Sequence, residues 1–484
     1  MEGQRNMHIC IIGTGVSGLM TACELLKLNF VEKINIIGSS KIPSIKVGES
    51  TTHTFYKFVK DNFDIKEFVQ ETDAAVKYGV YYENWSKKNF IHAFGGNKPY
   101  LRESTFERAY CQLLANKESD THIHDLIFGN LWNFIRENKV SLDDEEHIHS
   151  WHFDAGKFKI FMKNYLKKNK KVSIIDDTII DCKFLIGDQI QYIVGESNKK
   201  YTADYFVNCC GDNELNEKVF KEEYISLSSY LLTNKALVYP LKYTNKEEQF
   251  YPYTIAKTMK NGWRWVTPTQ SRIGTGYVFS DNHISVDEAT NEFLDDIGDK
   301  TIKPFLVDFN PKYIKNPFKT NSCTIGMSNG FLEPLDAPGL ALTNGNIINL
   351  IDVLDKINQI KNYNTYLKKI EISKKCESLN FASKIDYEWG CSFILHQYKT
   401  CWRNDTQFWI DHKNVKCDFY DKITDKMHYV PTHLFERHEY EMFFKTTAGK
   451  DIQWESKIKE NPFPVEQLDT ETIHHLEYIK SFYD

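Results

Sequence analysis

The apolar run Met7 to Ile12 leads directly into Gly13-Thr14-Gly15-Val16-Ser17-Gly18 and then LMTACELLKLNF, whose apolar positions recur at helical spacing. A second apolar run, INII at 34 to 37, completes a strand, turn, helix and strand. In such a unit the first glycine permits the tight turn. The second lets a pyrophosphate approach the backbone, and the third lets the helix pack on the strand. Free amides and partial positive charge at the helix start complete a phosphate site. This predicts a dinucleotide cradle built from Gly13, Thr14, Gly15, Ser17 and Gly18. The acid expected at the end of the second strand is replaced by Gly38-Ser39-Ser40, which makes Ser39 the candidate ribose partner, with weaker hold on the adenosine half.

The rest of the chain fits a large flavin-type α/β protein. In HFDAGKFKIFMKNYLKK, Asp154 is placed to cap a helix whose Phe158, Phe161 and Leu166 face inward. YTADYFVNCCGD (201 to 212) reads as a buried strand, and the segment 324 to 354 as strand, loop and long helix. From residue 373 the pattern is helical, aromatic and charged. At 484 residues, two lobes or one module with an inserted lobe are expected. The expected FAD module is discontinuous (1–84, 150–215 and 318–372), and the remainder (85–149, 216–317 and 373–484) forms a substrate lobe with a helical C-terminal part.

Net charge of -6, with the lysines dispersed, offers no footprint for nucleic acid. No apolar run approaches the ~18 residues of a bilayer span, and no signal-peptide pattern precedes the first strand, so a cytoplasmic protein without a membrane partner is expected. Eleven cysteines with no C-x-x-C pair suggest reduced thiols, Cys209 and Cys210 among them as small packing residues. His147, His149 and His152, like His474 and His475, lack acidic or cysteine partners at metal-ligand spacing, so no metal is expected.

Several segments, in order, resemble the flavin-dependent tryptophan halogenases and their wider family. Trp263-Arg264-Trp265-Val266-Thr267-Pro268 resembles the family's W-x-W-x-I-P, with Thr267 in place of isoleucine. VGEST (Val47, Gly48, Glu49, Ser50 and Thr51) is similar to its flavin strap, HFDAG to its re-entry into the flavin module, and RNDTQFW (403 to 409) to a late signature. DAAVKYGVYYENW resembles the stretch that carries the family's essential lysine, here Lys77. IHAFG aligns His92 and Phe94 with pocket residues, and FLEPLDAPGL resembles the flavin and halide loop.

The resemblance implies a doubly wound FAD-binding fold of the aromatic-monooxygenase type, with a mixed β-sheet lobe and a helical C-terminal region. It adds Ile179, Met327 and Leu340 to the cofactor-binding residues. It implies two-component chemistry: a separate NAD(P)H-dependent reductase supplies FADH2, oxygen and a halide ion are consumed, and hypohalous acid travels to Lys77. That side chain, as ammonium or haloamine, passes electrophilic halogen to an electron-rich aromatic substrate of indole or phenol type. Asp336 occupies the position of a family glutamate that orients the acid or takes the ring proton. N-capping of the following helix is its structural alternative.

The family's halide amides match Pro338 and Gly339. Proline has no amide hydrogen, so a softer, less hydrated halide, bromide or iodide, is expected over chloride. Trp263 and Trp265 should share one strand face, as core or as a wall between cofactor and substrate. Two rivals remain: an FAD-dependent aromatic hydroxylase or reductase of the same fold, and a non-catalytic flavin-binding protein. The sequence leaves the substrate open, and a homo-oligomer is compatible with it.

Overall fold

A computed structural model describes residues 6–41, 48–86, 89–94, 135, 137, 149–185, 187–211 and 213–421. Its first element is β1 (Met7–Ile12), every residue of which except His8 is buried. A helix, Val16–Leu25, follows, and β2 (Val31–Ile37) lies parallel to β1. On the other side of β1 runs the strand Tyr205–Asn208, also parallel, its four residues buried as a strand covered on both faces must be. Six strands make up this sheet, including Ser322–Thr324 and, at the far edge beyond β2, the strand Val172–Ile175. The helix Ala155–Lys167 packs against it, with the Asp154 carboxylate accepting from the Lys157 amide and Phe158, Phe161 and Leu166 buried, as its sequence predicts.

A seven-stranded mixed sheet forms the second layer system. Its strands include β5 (Gly79–Glu83) and β6 (Phe90–Ala93) at one edge, then Thr254–Met259, Gly262–Pro268 and Ile273–Phe279. Only Thr254–Met259 and β5 pair in parallel; the other neighbours are antiparallel. Two helices cover one face: Pro338–Gln359, and the 36-residue helix Thr365–Thr400, which begins earlier than its composition suggests.

Between these bodies lies a sheet of three short strands, β3 (Gly48–Ser50), β7 (Ser150–Asp154) and β4 (Ala75–Lys77), with β7 in the middle. β4 runs through Tyr78 straight into β5, so the chain crosses from one sheet to the other at Lys77 and Tyr78. The register pairs His152 with Ser50 on one side and with Ala75 on the other, and Ser150 with Lys77. Because paired residues share a face and alternate residues return to it, Ser50, His152, Ala75, Ser150 and Lys77 all lie on the same face. Among the described residues no helix is long and apolar enough to cross a membrane.

Candidate functional site

The glycine loop has the geometry its sequence requires. Gly13 has φ +113, and a Cβ there would lie 2.3 Å from the Cys209 carbonyl oxygen; one on Gly18 would lie 2.2 Å from that of Gly13. Around Gly15, by contrast, a Cβ would meet nothing within 4 Å. That open space sits at the start of the Val16–Leu25 helix, which no side chain caps. Its first amides therefore face outward, where a pyrophosphate can accept from them. Gly326, at φ +70, crosses so close to Ser17 that a Cβ would fall 2.1 Å from its hydroxyl. Its neighbour Met327 is exposed beside the loop, and Thr14 packs against Gly38. These residues suit a flavin dinucleotide.

A carboxylate reaches the end of β2 from another strand. Ser39 accepts from the Lys41 amide, whereas Ser40 donates both its amide (2.7 Å) and its hydroxyl (2.6 Å) to Asp176. Asp176 follows the strand that pairs with β2, so a carboxylate stands at the end of β2 without being in it. No local pattern could have revealed it. The Ile179 side chain is buried in an apolar cluster with Ile12, Ile37 and Phe206, which leaves only its backbone to meet a cofactor. Leu340 packs against the main core, and Val47 lies outside the described residues. Gly48, Glu49 and Ser50 form β3.

Lys77 is fully buried on β4. Its ammonium donates to the Thr51 carbonyl oxygen, one residue beyond β3, at 2.8 Å, and lies 4.7 Å from the centre of the Phe94 ring. Burial pushes its pKa down to about 7, against a smaller upward pull from Asp336. Lys77 can therefore exist as amine or ammonium near neutrality.

His152, also fully buried, is held from two sides. Nδ1 is 2.9 Å from the Pro268 carbonyl oxygen, and Nε2 is 2.8 Å from the Thr254 hydroxyl, itself 2.9 Å from that of Ser50. A carbonyl only accepts, so Nδ1 carries the hydrogen, Thr254 donates to Nε2, and Ser50 donates to Thr254. Burial, and after it the Lys77 charge, holds the imidazole well below its usual pKa, hence neutral. His149 packs against Tyr56, Tyr78 and Trp151, while His147, His474 and His475 lie outside the described residues. Among the described residues no three metal-ligand side chains converge.

Across from Lys77 stands Asp336. Its backbone and that of Ala337 are left-handed (φ 58 and 55), a conformation that costs each non-glycine residue on the order of 1–2 kcal/mol. The N-cap of the Pro338 helix is Ala337, with no side-chain cap, so capping is not the role Asp336 takes. Instead its Oδ2 accepts from the Tyr82 hydroxyl and from Gln397 Nε2, and its Oδ1 lies 3.9 Å from His92 Nδ1. Burial pushes this carboxyl up, but His92, Tyr82 and Gln397 outweigh it and hold the pKa below the ordinary range. In the halide loop, the Ala337 amide is spent on the Pro334 carbonyl. Pro338 contributes none, so the first free amides are those of Gly339, beside open space, and Leu340.

Strand register places Tyr82, His92, Trp263 and Trp265 on one face of the seven-stranded sheet. The two indoles are 6.2 Å apart. Trp263 donates to Glu333, which also accepts from Thr233 and Tyr398; burial lifts this carboxyl to about 7. His152, Asp176, Glu333 and Gln397 all escaped the sequence reading. Their partners lie far away in the chain, and although His152 and Glu333 sat in segments that drew attention, nothing local showed what either would meet.

Residues 8–458 match the profile of the family described as tryptophan halogenase. Tryptophan 7-halogenase KtzQ of Kutzneria sp. (strain 744) is 27% identical over 376 residues, 72% of this chain and 70% of the relative. Tryptophan 6-halogenase ThaL of Streptomyces albogriseolus is 26% identical over 449 residues, 87% of this chain and 81% of its own. Among solved structures, apo VirX1 is similar in fold, with a TM-score of 0.81 at 22% identity, covering 99% of this chain and 95% of that one.

Proposed function

The chain belongs to the tryptophan halogenase family, a family of flavin-dependent enzymes, and from that premise we propose that it halogenates an electron-rich aromatic ring of indole or phenol type through Lys77. Reduced FAD from a separate NAD(P)H-dependent reductase would supply, with oxygen, the oxidation of halide to hypohalous acid. In this reading the glycine loop and β3 would hold that cofactor, while Lys77 rises from β4 across β7 and reaches Thr51 at the end of β3.

The observation that carries the reading is the placement of Lys77, wholly out of solvent, bonded to the residue that follows β3 and facing Asp336. Its ammonium donates to the oxygen of hypohalous acid, drawing electron density from the halogen. As the ring carbon bonds to halogen, the halogen–oxygen bond breaks and the departing hydroxide takes a proton from Lys77, giving water. Asp336 accepts the ring proton, which then returns to Lys77, so one ring and one hypohalous acid leave as halogenated ring and water. Where Lys77 is amine, it takes the halogen first and transfers it as a haloamine. Buried indoles and phenyl rings around both groups keep hypohalous acid from bulk water.

The halide preferred in this reading is bromide or iodide. A loop whose first two amides are spent or absent desolvates a soft anion at lower cost than chloride. The test is to supply chemically reduced FAD, oxygen, each halide and a panel of indoles and phenols, and to read products by mass spectrometry. Halogenated product without NAD(P)H in the assay is expected, and Lys77→Ala should lose at least about a hundredfold in rate while still binding FAD. Hydroxylated product, or full halogenation by Lys77→Ala, overturns the proposal.

A further inference from the structure

Among the described residues the buried amide oxygen of Gln397, Oε1, accepts no hydrogen bond, and Asp336 Oδ1 has only the more distant His92 Nδ1, 3.9 Å away. Asp336 and Gln397 are almost wholly out of solvent, at 6% and 3% exposure. Leaving a buried acceptor unsatisfied costs about 1–3 kcal/mol, so such a group in a site marks a place where a ligand supplies the donor. The orientation of Gln397 is fixed chemically. The Asp336 carboxylate, held ionised by its neighbours, can only accept, so the amide nitrogen of Gln397 must face it and the amide oxygen must point away.

The helix that carries Gln397 presents more than this one group. Trp389, Phe393 and Gln397 recur every fourth residue of Thr365–Thr400 and so share a face. The Trp389 and Phe393 rings stack 6.5 Å apart at 8°, and Phe393 lies 6.1 Å from the His92 ring. Aromatic walls thus lead to His92, Asp336 and Gln397, with Lys77 and Phe94 close by.

We propose that Gln397 is a specificity-determining residue, whose amide oxygen accepts a hydrogen bond from an N–H or O–H borne on the substrate's ring. The inference rests on the halogenase reading and names the polar edge of its substrate. A donor in this seat also assists the reaction. As the ring accepts halogen and gains positive charge, its N–H or O–H becomes more acidic and the bond to the acceptor tightens, a gain made mainly in the transition state. Rings without such a donor leave this acceptor unsatisfied and are rejected.

The experiment compares pairs of equal size: indole with benzofuran, and phenol with toluene. Binding to the flavin-free full chain is followed by calorimetry, and halogenation in parallel with reduced FAD, oxygen and bromide. The donor-bearing member of each pair should bind at least about tenfold more tightly, and Gln397→Met should cut that preference to about twofold or less. Equal binding of both members by the unaltered chain overturns the proposal without any variant. So does a preference that survives undiminished in both Gln397→Met and the shorter Gln397→Asn. If donor-bearing rings bind selectively yet none is halogenated, the seat stands and the halogenase reading falls. If both members are halogenated with equal kcat/KM, the reverse holds.

Discussion

At the scale of single residues, Lys77 combines a reactive amine with complete burial, and the two together set a pH dependence of stability. An unfolded lysine keeps its proton to about 10.5, while in the folded chain burial lowers that to about 7. Between those values the unfolded state binds more protons, so folding is favoured progressively as pH rises from about 7 towards 10.5; below 7 the full cost of the buried charge remains. Lys77→Met should therefore melt above the parent at pH 6 to 7, with the gap closing by pH 10. Thermal melts at four pH values check this, and a constant gap would show that the amine is not desolvated. The identity of Lys77 was legible because a family segment surrounds it. Gln397 was not, since nothing in a helix of aromatic and charged residues says which amide will meet a carboxylate 61 positions away.

At the scale of elements, the parts with local causes were readable. β1 spans Met7–Ile12 as its apolar run predicts, and Asp154 caps its helix through a bond three residues long. The loop before the Pro338 helix was readable only in composition. Its paired left-handed residues and the commitment of the Ala337 amide to Pro334 accompany long-range contacts of Asp336 with Tyr82 and Gln397. The loop makes a specific prediction. Pro338→Ala restores one amide at the helix start, and a hydrogen bond to a charged group is worth roughly 1.5–3 kcal/mol, tenfold or more in relative affinity. In mixtures of equal chloride and bromide, this variant should shift the product ratio towards chlorination. An unchanged ratio, or a parent that already chlorinates as fast as it brominates, removes the loop from halide choice.

At the scale of the whole molecule, the cofactor loop and the chain's architecture can be separated. Gly15 has ordinary backbone and open space around it, whereas Gly13 is wedged against the strand that ends at Asn208. Gly15→Val should consequently fold and melt like the flavin-free parent, yet gain nothing from added FAD. The parent should gain about 2.7 kcal/mol at a hundred times its Kd. A variant that melts early, or that FAD still stabilises, refutes the division. The glycines were legible because their spacing encodes a local turn. The pairing of β3 and β4 on either side of β7 was not, because Ser50 and Ala75 both pair with a His152 that lies far along the chain, and strands so separated share no periodicity that a linear pattern can reveal.

That common middle strand has an implication for how such a protein can diversify. Two interstrand steps of about 4.8 Å set β3 and β4 roughly 10 Å apart, and the Lys77 side chain spans that width to reach Thr51 at the end of the strap. Remodelling the helix face opposite can thus exchange one ring for another while the amine stays tethered to the end of the strap.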